Sequence, residues 1–407
     1  MNITVLYVGS SLLAPLKNAE REINRAYDLD LRVAAYNFGS PLSDREWQDV
    51  DRDLSEANLV FVIHVMDGEN ASRLVAALES CQPDAVIVIN CMPDLMRLTR
   101  MGKLDVGKFA GWMGRYAVKE RKQHRHHHHY LKLIDRLPAI LKFVPTAGAL
   151  TDAKHYLYIF CYFLQPTPAN IQAMLLYALR HYAKSERLRK IKPRLLPPEH
   201  LPSVVIYHPS APALFESFED YRKWYVRKRK RELHPETTVG LLLMRPQVVS
   251  KTTKHYDALI HAIEDEGLGV IPAIATLMDN REAASKFFNH GLSQIVSLTG
   301  FSFVGGPAMN DSAAASAFLR ELNIPYRSAV SLDTQTIEAW RESATGLNPV
   351  QAGMQIAIPE IDGATEPFVY GGIPVKGHEP APLDDRCRRL ARRLKRWNNL
   401  RTASRED

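Results

Sequence analysis

The chain has 407 residues, 46% hydrophobic and 24% charged, with a formal net charge of +7. Such a length fits roughly two to three domains with cores of their own, and the balance excludes a disordered or fibrous chain. The basic excess is concentrated at residues 187–194, 222–231 and 386–396, without aromatic-interleaved RNA motifs or zinc-finger spacing; a solvated basic face explains it better than nucleic acid, with an anionic partner or anionic substrate as the lesser option.

In chain order, Met1-Asn2-Ile3-Thr4-Val5-Leu6-Tyr7-Val8 has no basic head or cleavage pattern and reads as a first strand, not a signal or transit peptide. Apolar runs at 3–8, 31–38, 59–65 and 85–90 alternate with helix-length stretches, the first carrying Leu13, Leu16, Ala19 and Ile23 at helical spacing. This pattern predicts a parallel, doubly wound sheet of flavodoxin type over residues 1–125. Its ligand crevice would lie near Gly9-Ser10-Ser11, Met66-Asp67-Gly68 and Asn90-Cys91-Met92. No GxGxxG or Walker A pattern supports nucleotide binding.

Residues 107–123 and the run His124-Arg125-His126-His127-His128-His129 interrupt this pattern. The histidines could bind a transition metal, but a mobile low-complexity loop with accidental nickel affinity explains them better. Amphipathic stretches at 130–143, 151–164 and 168–183 predict a helical segment over 130–183, the middle stretch opened by Thr151-Asp152 as an N-cap. These read as core packing or an interdomain clamp. The longest aromatic-apolar run, Tyr156 to Leu164, is far short of the ~20 residues of a membrane helix. Cys81, Cys91, Cys161 and Cys387 are scattered and read as reduced, mostly buried thiols of a cytoplasmic protein.

A Lys/Arg/Pro-rich linker follows at 184–203. A second α/β domain is expected over 204–345, with strands at 204–207, 239–244, 269–275, 294–298 and 326–331. Gly267 should cap the helix over 255–266, and Asn310-Asp311-Ser312 should open an alanine-rich one. Residues 346–407 read as the start of a further region, ending in a helix whose Leu390, Leu394 and Trp397 face has no evident partner in this chain.

Three segments could carry chemistry. His208, between a strand end and Pro209, suits a rigid turn at the sheet rim; metal ligation or proton transfer is open to it, a hydrogen-bonding turn residue is the simpler account. The loop from Gly300 to Ala308, with Phe301, Phe303, Gly305 and Gly306, leads from a strand into a helix. It offers backbone N–H groups to an anion, or merely close backbone packing. Residues 359–372 hold Glu360, Asp362 and Glu366 among glycines and prolines. Clustered carboxylates suit a hard cation or a proton acceptor, though an irregular surface turn with solvated acids is the plainer reading.

Pro359-Glu360-Ile361-Asp362-Gly363-Ala364-Thr365-Glu366-Pro367 closely resembles a segment of the magnesium chelatase and cobaltochelatase large subunits. In the same order along the chain, Tyr207-His208-Pro209-Ser210-Ala211-Pro212, Leu298-Thr299-Gly300-Phe301-Ser302-Phe303-Val304-Gly305-Gly306-Pro307-Ala308 and Leu347-Asn348-Pro349-Val350-Gln351-Ala352-Gly353-Met354-Gln355 resemble further family segments. Cys91-Met92-Pro93-Asp94-Leu95-Met96 is similar to an element of the magnesium enzymes and favours them over cobalt. The resemblance implies the N-terminal portion of a porphyrin-binding large subunit, since family members continue well beyond 407 residues. The complete enzyme would insert Mg2+ into protoporphyrin IX for chlorophyll or bacteriochlorophyll. AAA+ ATPase partners would use the ATP, which this chain would not bind, and a porphyrin-delivery protein could join them; neither nucleic acid nor an integral membrane segment is implied. It further implies that metal-inserting groups lie mostly downstream, leaving Glu360, Asp362, Glu366 and His208 as minor catalytic candidates and Gly300, Phe301, Gly305 and Gly306 as substrate-contact candidates. A cobaltochelatase large subunit acting on a corrin precursor, and a non-catalytic tetrapyrrole- or partner-binding module, are the alternatives.

Overall fold

The computed structural model describes residues 1–39, 42–65, 68–108, 148–191, 193–199, 201–275, 279–306 and 310–403. The histidine run, the expected helix at 130–143, Met66-Asp67 and Pro307-Ala308 lie outside the described residues. The chain divides into two compact units, Met1–His200 and Leu201–Asp407.

In the first unit, strands β1 (Asn2–Tyr7), β2 (Arg32–Asn37), β3 (Leu59–Ile63) and β4 (Ala85–Ile89) are parallel, and short antiparallel strands β5 (Arg100–Met101) and β6 (Leu104–Asp105) follow at one edge, giving the order β2-β1-β3-β4-β5-β6. Every residue of β3 and β4 is buried, because helices cover both faces and each face needs apolar side chains. Strand alternation divides them between two cores. Ile3, Val5, Phe61, Ile63, Ile87 and Ile89 join the core on one face, whereas Leu6, Val60, Val62, Val86 and Val88 join the core on the other.

The helix Leu13–Tyr27 packs against Pro168–Tyr182 on the first face. Ile171, Met174 and Leu175 are in that core, so this helical stretch is a layer of the first unit. Its neighbour Ala149–Leu164 begins two residues before the expected cap, on Gly148. Asp152 caps nothing; its carboxylate accepts from Lys103 N–H at 2.7 Å and from the Tyr182 hydroxyl at 2.9 Å. A helix start is set by the first residue able to leave the helical backbone, and Gly148 at φ +57° does so before Thr151. On the other face, Ser43 and Glu46 form a reciprocal capping box for Asp44–Ser55.

The second unit holds strands β7 (Val205–Ile206), β8 (Thr238–Leu243), β9 (Gly269–Ile274), β10 (Gln294–Ser297), β11 (Tyr326–Leu332), β12 (Thr365–Gly372) and β13 (Ala381–Pro382), in the order β13-β12-β11-β10-β8-β9-β7. Strands β8 to β12 are parallel neighbours, wound as in a flavodoxin-type sheet with the reversal between β8 and β10. Short antiparallel strands close both edges. The helix Lys254–Asp265 ends as expected, with Gly267 at φ +89° and its N–H on Glu264 O. Asp311 caps Ser312–Leu322 by accepting Ala314 N–H at 2.9 Å.

The expectation of a separate region from residue 346 is corrected. Strand β12 lies beside β11 in the second sheet, and the helix Asp384–Thr402 packs on β12 and on Lys254–Asp265. Cys387, Leu390, Ala391 and Leu394 are buried in the second unit's core, so of the face read as unpartnered Leu390 and Leu394 are covered, whereas Trp397 stays 40% exposed. Sequence periodicity reveals an apolar stripe but not a cover that lies more than a hundred residues away.

Candidate functional site

In a doubly wound sheet, loops converge at the carboxyl ends of the strands. In the second unit, β10 runs on through Thr299 into Gly300, which takes φ +73°. A Cβ at Gly300 would lie 2.8 Å from Gln355 Nε2, so the loop needs glycine for both backbone and space. Gln355 sits on a π-helical turn, Gly353–Ala357. Its Nε2 donates to Asp333 Oδ2 at 3.2 Å, and its Oε1 is buried with no partner among the described residues.

One turn earlier, Gln351 pins the backbone that follows β11. Its Oε1 accepts from Asp333 N–H and Thr334 N–H, each at 3.0 Å, and its Nε2 donates to Ser331 O at 3.2 Å. Asn348 caps this helical turn by accepting Gln351 N–H at 2.8 Å and donates to Thr334 O at 3.0 Å. The segment from Leu347 to Gln355 is therefore a polar clamp on the β11 exit. Sequence reading assigned these glutamines no role; their four-residue spacing, which puts both on one helix face, was the available signal.

The three carboxylates of residues 359–372 do not converge. Asp362, 2% exposed, accepts from the Ser302 hydroxyl and from Phe303 N–H, both at 2.7 Å, and so fastens the glycine-rich loop. Glu366 takes φ +53° where the pairing of β11 and β12 shifts register. It accepts from Arg327 Nε at 3.2 Å and from the Trp397 indole at 3.1 Å, and Arg393 approaches to 3.6 Å. Burial raises its pKa, but the bonds from Arg327 and Trp397 and the nearby arginine charges outweigh this and hold the carboxyl below its ordinary range. Glu360 is exposed. The segment forms a helix, Ile358–Asp362, a left-handed Gly363 and strand β12, rather than an irregular turn. Among the described residues no group of three or more His, Cys, Asp or Glu could hold a metal ion.

His208 is buried. Its Nδ1 accepts Ser210 N–H at 3.1 Å, which leaves Nε2 to donate to Glu264 Oε1 at 3.2 Å. Glu264, also buried, further pairs with Arg229 and His261. Burial raises its pKa, yet His208 and Arg229 overcome that and keep it below the usual carboxylate range. The histidine thus orders a turn and an interior ion cluster; Glu264 and Arg229 had no signal in the sequence.

Of the loop candidates, Phe303 is fully buried against Phe318 and Tyr326, while Phe301, Gly305 and Gly306 remain partly exposed. Asp311 already takes an N–H of the helix that follows, which weakens the anion reading. A residue that sequence reading passed over is His255. Fully buried between the Tyr256 ring (3.9 Å between centroids) and the Tyr370 ring (5.8 Å), it has neither ring nitrogen bonded to a described residue. Burial pushes its pKa down to about 3.

Residues 160–407 match the family CobN/Magnesium Chelatase. The chain belongs to that family. Residues 2–157 match a domain of unknown function (DUF3479). The chain is 35% identical to a magnesium-chelatase subunit of Rhodobacter capsulatus over 80% of this chain and 26% of that protein. With a chloroplastic magnesium-chelatase subunit of Oryza sativa subsp. japonica it shares 29% identity over 98% of this chain and 29% of the relative. The match to an aerobic cobaltochelatase subunit, CobN, of Sinorhizobium sp. is 27% identical and covers 42% of this chain and 14% of the other. Among solved structures, the catalytic subunit of cobaltochelatase from Mycobacterium tuberculosis aligns with 100% of this chain and 28% of its own, at TM-score 0.47 and 17% identity. The chain thus spans under a third of the length of these relatives. No helix among the described residues is long and apolar enough to cross a membrane.

Proposed function

We propose that this chain supplies two α/β units of the large, porphyrin-handling subunit of an ATP-dependent magnesium chelatase, which inserts Mg2+ into protoporphyrin IX in chlorophyll or bacteriochlorophyll synthesis. The carrying observation is the match to magnesium-chelatase subunits over 80% and 98% of this chain, against 42% for the cobalt relative. Both Mg2+ and the porphyrin are substrates of that reaction, and ATP is used by AAA+ partner subunits in the cytoplasm.

The chemistry requires stripping water from Mg2+, removing two pyrrole protons and bending a flat ring. Glu366 and the Oδ2 of Asp362 are committed to hydrogen bonds and ion pairs within the chain, and the remaining Asp362 oxygen, Oδ1, is buried away from solvent. Their part is to hold the loop at Gly300 to Gly306 and the start of β12 in place. Phe301, the partly exposed aromatic of that loop, is the contact offered to a macrocycle face. Groups that handle the metal belong to the polypeptide by which the relatives exceed this chain.

The test is a titration of the purified chain with a water-soluble protoporphyrin analogue, following Soret shift and tryptophan quenching. Saturable binding that falls about tenfold in Phe301→Ala, and also falls in Asp362→Asn, supports the reading. Binding unchanged in both variants, or no binding up to solubility, removes the loop from the substrate site. The matching relative from Sinorhizobium keeps a cobaltochelatase subunit, acting on a corrin precursor, as the second reading. Stronger binding of a corrin than of the porphyrin would favour it.

A further inference from the structure

The helix Asp384–Thr402 buries a stripe of Cys387, Leu390, Ala391, Leu394 and Asn398. Beside that stripe, at intervals of three and four residues, run Arg386, Arg389, Arg393, Arg396 and Leu400. Trp397 stands between the two rows. Its indole is held by Glu366, and the Arg327 guanidinium lies 4.8 Å over its ring. Trp397 and Ile361 line a cleft of about 550 Å³ with Leu319, Ile324, Pro325 and Arg320. Much of this apolar surface faces solvent: Ile361 is 66% exposed, Trp397 40%, and Leu400, one turn beyond, 71%. Arg320, Arg389 and Arg396 are exposed and form no ion pair with a described residue.

Exposed aliphatic and indole surface flanked by uncompensated arginines has the make-up of a binding epitope, since arginine and tryptophan carry much of the energy at protein interfaces. The chemistry narrows the occupant. A nucleic acid would lay its charged backbone over the exposed aliphatic surface of Ile361 and Leu400 and leave that surface without an apolar partner. A second copy of the chain would bring one arginine row against another. An acidic polypeptide meets both requirements, pairing its carboxylates with the exposed Arg320, Arg389 and Arg396 while an apolar side chain enters between Ile361 and Trp397.

We propose that this face docks an acidic polypeptide segment that inserts an aliphatic or aromatic side chain into the Ile361–Trp397 cleft. The segment belongs to a partner subunit, and the docking does not depend on porphyrin binding.

A phage-displayed library of random 16-residue peptides, selected on the whole chain, tests this. The double variant Ile361→Ser/Leu400→Ser serves as counter-target. Both positions are exposed, so the variant should keep its fold, which circular dichroism and a melting curve check. Enriched peptides should carry Asp or Glu around one Leu, Ile, Phe or Trp. By fluorescence anisotropy, an enriched peptide should bind the double variant at least tenfold more weakly, and Arg389→Glu/Arg396→Glu at least fivefold more weakly. Its affinity should fall between 50 and 300 mM salt. Peptides that lack the acidic and apolar signature, or bind the double variant equally, overturn the proposal. So does a 20-nucleotide RNA that displaces the peptides, or a dimer in sedimentation that Ile361→Ser/Leu400→Ser abolishes.

Discussion

The two sheets share one winding order but end differently at their carboxyl edges. In the first unit, Gly9 after β1 is held by the Asn37 side chain, which accepts Gly9 N–H at 3.3 Å and donates to Gly9 O at 3.1 Å. Cys91 after β4 accepts Val65 N–H through Sγ at 3.3 Å. No carboxylate takes part in those contacts. In the second unit, Gly300, Asp333, Gln351 and Gln355 interlock, and Asp362 fastens the loop from a neighbouring element. Winding supplies a place where loops meet; the residues just past the strands decide whether polar groups collect there.

The strongest way to break this comparison is through the helix that completes the second sheet. Leu394→Ala should lower the second unit's stability by about 3 kcal/mol in urea titration, and leave the first unit's transition in place. A loss under about 1 kcal/mol would mean that Asp384–Thr402 is peripheral. Next, Asp362→Ala should cost about 2 kcal/mol, because it strands the Ser302 hydroxyl and Phe303 N–H. Hydrogen exchange at Phe303 should then accelerate, whereas amides of the first unit stay protected. Unchanged exchange at Phe303 would refute the latch.

His255 gives the second unit a pH response. Its folded pKa of about 3 lies below the ordinary value of 6.5, so the unfolded chain binds the extra proton first. Its contribution is whole above about pH 6.5 and is lost as pH falls toward 3, by up to about 1.4 kcal/mol per pH unit. Between pH 6.5 and 5 that amounts to about 2 kcal/mol, and His255→Phe should flatten the slope by one proton. An identical slope in that variant would show that another group carries the response.

The smallest effect is also the sharpest contrast. Gly9 sits at φ +124° with nothing within 4 Å of an added Cβ, whereas an added Cβ at Gly300 meets Gln355. Gly9→Ala should cost about 1 kcal/mol from backbone strain alone, and Gly300→Ala about 2 kcal/mol. Equal costs would mean that Gln355 swings away freely.

What the sequence determined by itself was local. Apolar runs of five to seven residues between amphipathic stretches give β1, β3, β4, β8, β9 and β10 almost to the residue, because burial on both faces demands uninterrupted Val, Ile and Leu. Gly267 and Asp311 announce a helix end and a helix start through backbone chemistry confined to one turn. Tertiary structure alone decided the rest. The acids of residues 359–372 look alike in the sequence, yet Asp362 became a loop latch, Glu366 an arginine partner and Glu360 a solvent-facing group. The stripe of Leu390 and Leu394 looked bare until Lys254–Asp265 and β12 covered it. Each of these outcomes depends on groups tens of residues apart meeting at hydrogen-bond or van der Waals distance, and such encounters leave no periodicity in a single chain.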